Sequence, residues 1–171
     1  MPDSARPVIN ITKLEQVCIV VHDITKSMKA MWDTFGIGPW DVYTRDSDSL
    51  TDTTYHGKPA EFKFKVARNH RKLGGIEIEL IEPVEGDNIY RDFLKEYGEG
   101  VQHLGWHIVD SLEDFVDTSR RLEEAGFPCI MGGRTPNGAF GYFDTTKVLN
   151  TVLEVNWWPP GATPQPDYTF P

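Results

Sequence analysis

The sequence predicts an α+β fold built from two copies of one β-α-β-β-β unit. The first copy opens on a strand at Gln16 and closes on a strand at Glu79, and the second opens at His103 and closes at Glu154. Because side chains alternate between the two faces of a strand, these polar residues point away from the apolar neighbours that pack against helices. The repeat therefore predicts four ligands around one central ion.

The first copy covers residues of about 13–83 and follows a polar lead-in at 1–12. A helix capped by Asp23 or Thr25 and ending near Phe35 is indicated by apolar residues at helical spacing. Strands are predicted at 14–22, 40–43, 60–67 and 76–81. The polar, turn-rich stretch 44–58 is predicted to be a loop.

A linker helix at about 87–97 joins the copies, and the second copy covers about 100–157. Its helix begins with a capping-box pattern at Ser111 and ends at Gly126. Strands are predicted at 101–109, 128–131, 139–144 and 150–157, with a glycine-rich loop at 132–138. The tail, 158–171, is proline-rich and is predicted to leave the sheet and to contact the surface or a partner subunit.

The composition is typical of a soluble globular protein. The chain of 171 residues is 39% hydrophobic and 25% charged, with a formal net charge of −9. This acidity argues against binding to nucleic acid or an anionic membrane, and it does not repel a divalent cation. Cys18 and Cys129 are predicted to be reduced core thiols. With no secretory signal and no membrane-length apolar run, we expect a cytoplasmic location.

The four candidate ligands form a mixed nitrogen and oxygen donor set. Two carboxylates, one imidazole and one amide oxygen suit Zn, Ni, Co, Mn, Fe or Mg, with water completing the coordination shell. If the ion is zinc, its distances to these ligands are expected near 2.0–2.2 Å. The sequence alone leaves the identity of the metal open.

Three short segments resemble the vicinal oxygen chelate superfamily, and in particular its glyoxalase I and methylmalonyl-CoA epimerase branch. They are Glu79-Leu80-Ile81-Glu82-Pro83, Gly100-Val101-Gln102-His103-Leu104-Gly105 and Val152-Leu153-Glu154-Val155. The resemblance implies paired βαβββ modules forming a cup-shaped mixed sheet around a divalent ion, as in glyoxalase, bleomycin-resistance and dioxygenase proteins. It also implies metal ligands at Gln16, Glu79, His103 and Glu154, and a homodimer.

The first ligand position separates two activities within this branch. Epimerases of the group usually have His where this chain has Gln16, and some glyoxalases have Gln. Both activities remove a proton from a carbon beside a carbonyl that a divalent ion polarises. The candidates for the base are Glu154, which in this proposal leaves the metal transiently, and Glu61 on the strand preceding Glu79.

Several further residues are candidates for binding a small-molecule carbonyl or thioester substrate. His107 lies four residues beyond His103 on the same strand face, and Arg134 and Lys147 offer charge to an anionic group. The candidate pocket aromatics are Trp40, Tyr43, Phe140 and Tyr142. The sequence does not decide whether coenzyme A or glutathione is part of the substrate.

Two other functions remain open at this point. An extradiol-type oxygenase on the same fold favours two histidines and one carboxylate, whereas the relevant positions here carry one histidine and two carboxylates. A non-catalytic small-molecule-binding protein commonly lacks the ligands, whereas all four positions here carry competent donors. The first expectation is therefore a metal-dependent isomerase, epimerase or lyase.

Overall fold

The computed structural model describes residues 6–106, 109–162 and 164–171. The helices are α1 (Ile24–Phe35), α2 (Ile89–Tyr97), α3 (Leu112–Glu124) and α4 (Thr146–Leu149). The strands are β1 (Gln16–Val20), β2 (Trp40–Arg45), β3 (Thr51–Tyr55), β4 (Lys58–Pro59), β5 (Lys63–Asn69), β6 (Glu77–Glu85), β7 (Gly100–Trp106), β8 (Cys129–Thr135), β9 (Gly138–Phe143), β10 (Val152–Trp157) and β11 (Tyr168–Phe170).

Across these described residues, the eleven strands form one large curved sheet. Its order is β11-β2-β5-β6-β1-β7-β10-β9-β8-β3-β4. The opening strands β1 and β7 pair antiparallel at the centre, and each has its own closing strand, β6 or β10, parallel at its outer side. The predicted α+β class and its two related halves are confirmed.

Helices α1 and α3 cover one face of the sheet. Ile24 and Met28 of α1 are fully buried against Leu80 of β6, and Leu122 of α3 packs on Leu153 of β10. Burial of each such side chain stabilises the fold by about 1.5–3 kcal/mol. The predicted caps are also confirmed, because the side chains of Asp23 and Ser111 accept backbone hydrogen bonds at the starts of α1 and α3.

The predicted loop 44–58 contains a hairpin, so that prediction was wrong. Strands β3 and β4 meet at His56 and Gly57, which both have positive φ, as a two-residue hairpin turn requires. Strand β3 then pairs with β8 of the second module. Because β3 belongs to the first module in the chain, this pairing places a first-module hairpin at the outer edge of the second half.

Three further boundaries differ from the prediction. Strand β11 pairs with β2, so the tail returns to the sheet; its prolines lie before and after Tyr168–Phe170 and do not interrupt that strand. Strand β6 continues through Pro83, which lies at a register shift opposite β5, where a missing N–H is tolerated. The glycine-rich stretch is the β8–β9 hairpin and not an open loop.

None of the described helices is long and apolar enough to span a membrane.

Candidate metal centre

The four predicted ligands meet at the centre of the sheet. Gln16, Glu79, His103 and Glu154 are all buried, with exposed fractions of 7%, 2%, 0% and 5%. His103 Nε2 lies 3.5 Å from Glu79 Oε2 and 3.7 Å from Glu154 Oε2. Two ligands about 2.1 Å from a tetrahedral ion are roughly 3.4 Å apart, so these separations suit a shared ion.

Each of these side chains has a buried polar atom that forms no hydrogen bond among the described residues. The atoms are Gln16 Oε1, Glu79 Oε2, His103 Nε2 and Glu154 Oε2. Leaving one buried polar atom unsatisfied costs about 1–3 kcal/mol, so four at one place require an explanation. A divalent cation satisfies all four, and the residues therefore fit the ion that the fold implies.

Hydrogen bonds orient two of the ligands toward this point. The Gln16 amide donates through Nε2 to Glu77 Oε1 at 2.7 Å, which leaves Oε1 as the free donor atom. His103 Nδ1 donates to Gln102 Oε1 at 2.6 Å, which leaves the lone pair of Nε2 available. Partners of this kind select the tautomer and ring orientation of metal-binding histidines.

The two carboxylates also have polar neighbours. Glu79 Oε1 accepts a hydrogen bond from Arg68 Nε at 3.0 Å, which leaves Oε2 facing His103. Tyr142 on β9 lies directly opposite Glu154 on β10, and the Tyr142 hydroxyl accepts a hydrogen bond from Tyr90 at 2.7 Å. Each acid therefore lies beside a neighbour that is not itself a ligand.

Gly105 provides the space for two of the free oxygens. A Cβ atom at Gly105 would lie 2.9 Å from Gln16 Oε1 and 3.0 Å from Glu154 Oε2. Both oxygens thus approach one point above the β7 backbone. Any larger residue at 105 would displace them.

The two carboxylates differ in acidity. Burial raises the pKa of Glu79, but its interaction with His103 and the charge of Arg68 outweigh burial and lower the pKa below the ordinary value. Burial raises the pKa of Glu154, His103 opposes this effect, and the neighbouring Glu79 charge adds to it, so that pKa ends above the ordinary value. Without an ion, Glu154 is therefore the acid that more readily holds a proton.

The centre contains a residue that the sequence reasoning did not assign to it. The Cys18 sulfur and ligand atoms of Glu79 and His103 all lie within 4.8 Å of one another. Cys18 is free and fully buried, as predicted for a core thiol. Burial, followed by the charges of Glu79 and Glu154, raises the pKa of this thiol. Its position two residues after Gln16 on one strand was the available signal.

A small cavity of about 30 Å³ borders both carboxylates. Its lining combines apolar side chains with two guanidinium groups: Arg45, Leu50, Phe64, Val66, Arg68, Glu79, Ile81, Thr135, Phe140, Tyr142, Glu154 and Trp158. Tyr142 and Phe140 are therefore where the sequence analysis expected them. Tyr43 lies beside this cavity, with the guanidinium carbons of Arg45 and Arg68 at 4.9 and 5.9 Å from its ring centre.

Two expected substrate contacts are corrected. Trp40 is fully buried under α1, on the opposite face of the sheet, and its indole donates to Ile37 O. Alternation along β2 brings Tyr43 to the cavity face instead. Arg134 is exposed and lies 3.6 Å from Asp52 on the α3 side of β8, while its neighbour Thr135 lines the cavity.

The remaining candidates lie elsewhere. Glu61 is exposed and lines a separate depression with Asp46 and Lys63, although the sequence offered it as a base. Lys147 is exposed on the short helix α4. His107 lies outside the described residues.

The sequence reasoning missed two charged cavity residues, Arg45 and Arg68. Arg68 continues the inward-facing series of Phe64 and Val66 along β5, so strand alternation contained the signal. Burial lowers its pKa, but the nearby Glu79 and Glu77 carboxylates outweigh burial and raise it. Arg68 therefore stays charged beside the centre.

Comparison with known proteins identifies the class that this fold and site define. Residues 15–143 match the model of the Glyoxalase/Bleomycin resistance protein/Dioxygenase superfamily. The chain belongs to this superfamily. The search of curated proteins finds no match.

Solved structures with this fold include methylmalonyl-CoA epimerases. The Mycobacterium tuberculosis enzyme is 18% identical, with a TM-score of 0.61 over 92% of this chain and 95% of that one. A variant of the Streptomyces coelicolor enzyme in complex with 2-nitronate-propionyl-CoA is 13% identical, with a TM-score of 0.58 over 91% and 100%. At these identities the similarity shows the fold and does not identify the substrate.

Proposed function

We propose that this protein is a divalent-metal-dependent isomerase, epimerase or lyase that removes a proton from a carbon beside a carbonyl group. The observation that carries the proposal is the convergence of four buried, unpartnered ligand atoms at the base of a cavity. Gln16, Glu79, His103 and Glu154 would hold the ion. When bound, a divalent ion supplies Lewis acidity that makes such a proton more acidic.

Glu154 is the base that the geometry supports best. It lines the cavity, and its Oε2 has no hydrogen-bond partner among the described residues. In the proposed reaction Glu154 leaves the ion transiently, accepts the proton from the substrate carbon and returns it to the same or a neighbouring carbon. Glu61 is exposed in a separate depression, which favours Glu154 over it.

Arg45 and Arg68 provide binding for an anionic part of the substrate. Both line the cavity, and both guanidinium groups lie over the Tyr43 ring. Burial, and then the charge of Arg68, lowers the pKa of Arg45, so a carboxylate or phosphate bound between them would relieve unfavourable charge. These two residues take the role that the sequence analysis gave to Arg134 and Lys147.

The donor set favours this chemistry over that of an oxygenase. Extradiol-type chemistry favours two histidines and one carboxylate, and the centre offers His103 with the carboxylates Glu79 and Glu154. A binding protein without catalysis would not require both acids to be buried beside polar neighbours. We therefore propose enzyme function first.

Deuterium uptake tests the proposal directly. Purified protein is incubated in heavy water with carbonyl and thioester compounds, beginning with methylmalonyl-CoA because similar folds belong to its epimerases. We expect deuterium at the carbon beside the carbonyl, loss of exchange after chelation and recovery when metal is restored. Absence of metal-dependent exchange across acyl-CoA, glutathione-derived and free α-hydroxycarbonyl compounds would contradict the proposal.

Matched variants then separate the candidate bases. Glu154→Gln is expected to lower exchange at least about 100-fold, as typical for loss of a general base. Glu61→Gln is expected to retain exchange within about twofold. Metal content is measured for both variants, because Glu154 is also a proposed ligand. The opposite ranking would assign the base to Glu61.

A further inference from the structure

Cys18 occupies the central position between two of the proposed ligands. On the parallel side β1 places Cys18 directly opposite Glu79, and on the antiparallel side it places Cys18 opposite His103. Gln16, by comparison, pairs with Glu77 and Gly105. Directly paired residues on one face of a sheet have Cβ atoms roughly 4.5–5.5 Å apart, which allows their side chains to meet.

The Cys18 sulfur is close enough to two proposed ligands to be a candidate for the same coordination shell. The Cys18 sulfur and ligand atoms of Glu79 and His103 lie within 4.8 Å of one another, so modest side-chain movement would bring them to a shared ion. His103 Nε2 and Glu79 Oε2 are also buried and unpartnered, so both residues grouped with the sulfur have a free donor atom.

The second cysteine has a different environment. Cys129 is half-buried on β8, and its thiol donates to Met131 O at 3.3 Å. It is not part of the Cys18, Glu79 and His103 group. Cys129 therefore provides a matched control for any effect of removing a thiol from this protein.

We propose that Cys18 is a fifth ligand of the metal centre and binds the ion through its sulfur. This inference rests on the proposed function, because it requires the metal centre formed by Gln16, Glu79, His103 and Glu154. Binding of the ion forms a metal–sulfur bond and breaks the S–H bond, and the proton leaves to solvent. The donor set then contains one soft sulfur beside harder nitrogen and oxygen atoms.

A sulfur ligand changes which metals the site prefers. A thiolate is a soft ligand that favours zinc and other late first-row ions. Mg and Mn prefer oxygen ligands instead. The prediction from the sequence alone included Mg and Mn as equal candidates. We therefore expect the ratio of zinc affinity to manganese affinity to be larger when Cys18 binds the ion than when only nitrogen and oxygen atoms bind it.

X-ray absorption spectroscopy of the zinc-loaded protein tests the inference without reference to activity. A sulfur scatterer is expected at about 2.3 Å, together with nitrogen and oxygen scatterers at about 2.0–2.2 Å. Cys18→Ala is expected to lose the sulfur scatterer and at least tenfold in zinc affinity, with manganese affinity changed less. Cys129→Ala is expected to keep the wild-type spectrum and affinity.

A cobalt-loaded sample gives a second measurement. Wild-type protein is expected to show a near-ultraviolet thiolate-to-cobalt charge-transfer band that Cys18→Ala lacks and Cys129→Ala retains. If wild-type protein binds metal with nitrogen and oxygen scatterers only, the role of Cys18 is overturned and the proposed function stands. If wild-type protein binds no divalent ion, both are overturned. Because the wild-type spectra decide these outcomes, misfolding of a variant does not prevent the test.

Discussion

Gly105 lies directly opposite Gln16 in the central pair of strands, and the absence of a side chain at Gly105 leaves room for the Gln16 amide oxygen. A Cβ atom at this glycine would lie 2.9 Å from both Cβ and Oε1 of Gln16. Contacts this short require one of the residues to move. Gly105 therefore leaves the space in which oxygen atoms from two different strands approach one point.

Gly105→Ala is predicted to lower metal affinity at least about tenfold, equivalent to about 1.4 kcal/mol. The added methyl group would displace Gln16 Oε1 and Glu154 Oε2 from their shared position. Competition with a chromophoric chelator measures the affinity. Gly100→Ala on the same strand is the control, because its nearest contact would be an ordinary 3.7 Å to Phe93. Equal affinities of the two variants would contradict this account of Gly105.

Gln102→Ala is predicted to weaken metal binding by about 10–100-fold, the usual effect of losing an outer-shell partner. The side-chain amide oxygen of Gln102 accepts a hydrogen bond from His103 Nδ1, which leaves Nε2 to face the proposed ion. Gln102→Glu retains an acceptor and is expected to bind metal within a few-fold of wild type. Isothermal titration with zinc measures both variants. Wild-type affinity in Gln102→Ala would show that the histidine needs no such support.

Metal removal is predicted to lower thermal stability. The ion satisfies four buried atoms in the folded state, so metal at about 100 times its Kd contributes about 2.7 kcal/mol by mass action. For a protein of this length, that corresponds to a Tm difference of roughly 5–11 °C between metal-loaded and chelated samples. Differential scanning calorimetry measures the shift. The Glu79→Gln/Glu154→Gln double variant is expected to show almost no shift, and a wild-type response there would place the ion elsewhere.

Tyr55 is predicted to titrate near pH 12. Its hydroxyl donates to Asp92 Oδ2 at 2.5 Å, and this hydrogen bond, with a smaller effect of burial, raises the pKa of Tyr55 to about 12. Because the folded pKa exceeds the unfolded value of about 10, the contribution to stability is complete below pH 10 and is lost as pH rises through 12.

Ultraviolet difference titration of wild-type protein and Tyr55→Phe isolates this phenol. In Asp92→Asn the Tyr55 pKa is expected to fall toward 10. An unchanged titration in Asp92→Asn would show that another interaction raises the pKa. The contact joins the β3–β4 hairpin to α2, so its loss is also expected to loosen that hairpin.

Local patterns in the sequence predicted the four donor residues that the structure brings together, because a repeated unit carries its donors at equivalent strand positions. They did not predict which neighbours hold the ligands. Gln102 is the unpaired residue at a register shift between β1 and β7, where it reaches the ring of His103, and nothing local in the sequence marks that shift. Arg68 was recognisable by alternation on β5 only once the inner face of that strand was known.

Trp40 and Tyr43 illustrate a second limit on what the sequence can predict, namely which face of a strand carries the cavity. Both are aromatic residues on β2, and their separation of three positions puts them on opposite faces of the sheet. Deciding which face carries the cavity required the position of α1, which covers Trp40. The β3–β4 hairpin was missed for a related reason, because its polar residues are stabilised by pairing with β8, a partner far away in the chain.

By itself the sequence determined the strand and helix types, the duplication and the donor residues, since these depend on side-chain periodicity and residue chemistry. The tertiary structure decided that β1 and β7 pair at the centre, with Cys18 between Glu79 and His103. Register is set by the packing of both faces and by contacts between distant strands, and no local pattern specifies it. For that reason the four candidate donors could be named from the chain, whereas the proximity of the Cys18 thiol to two of them became visible only in the folded protein.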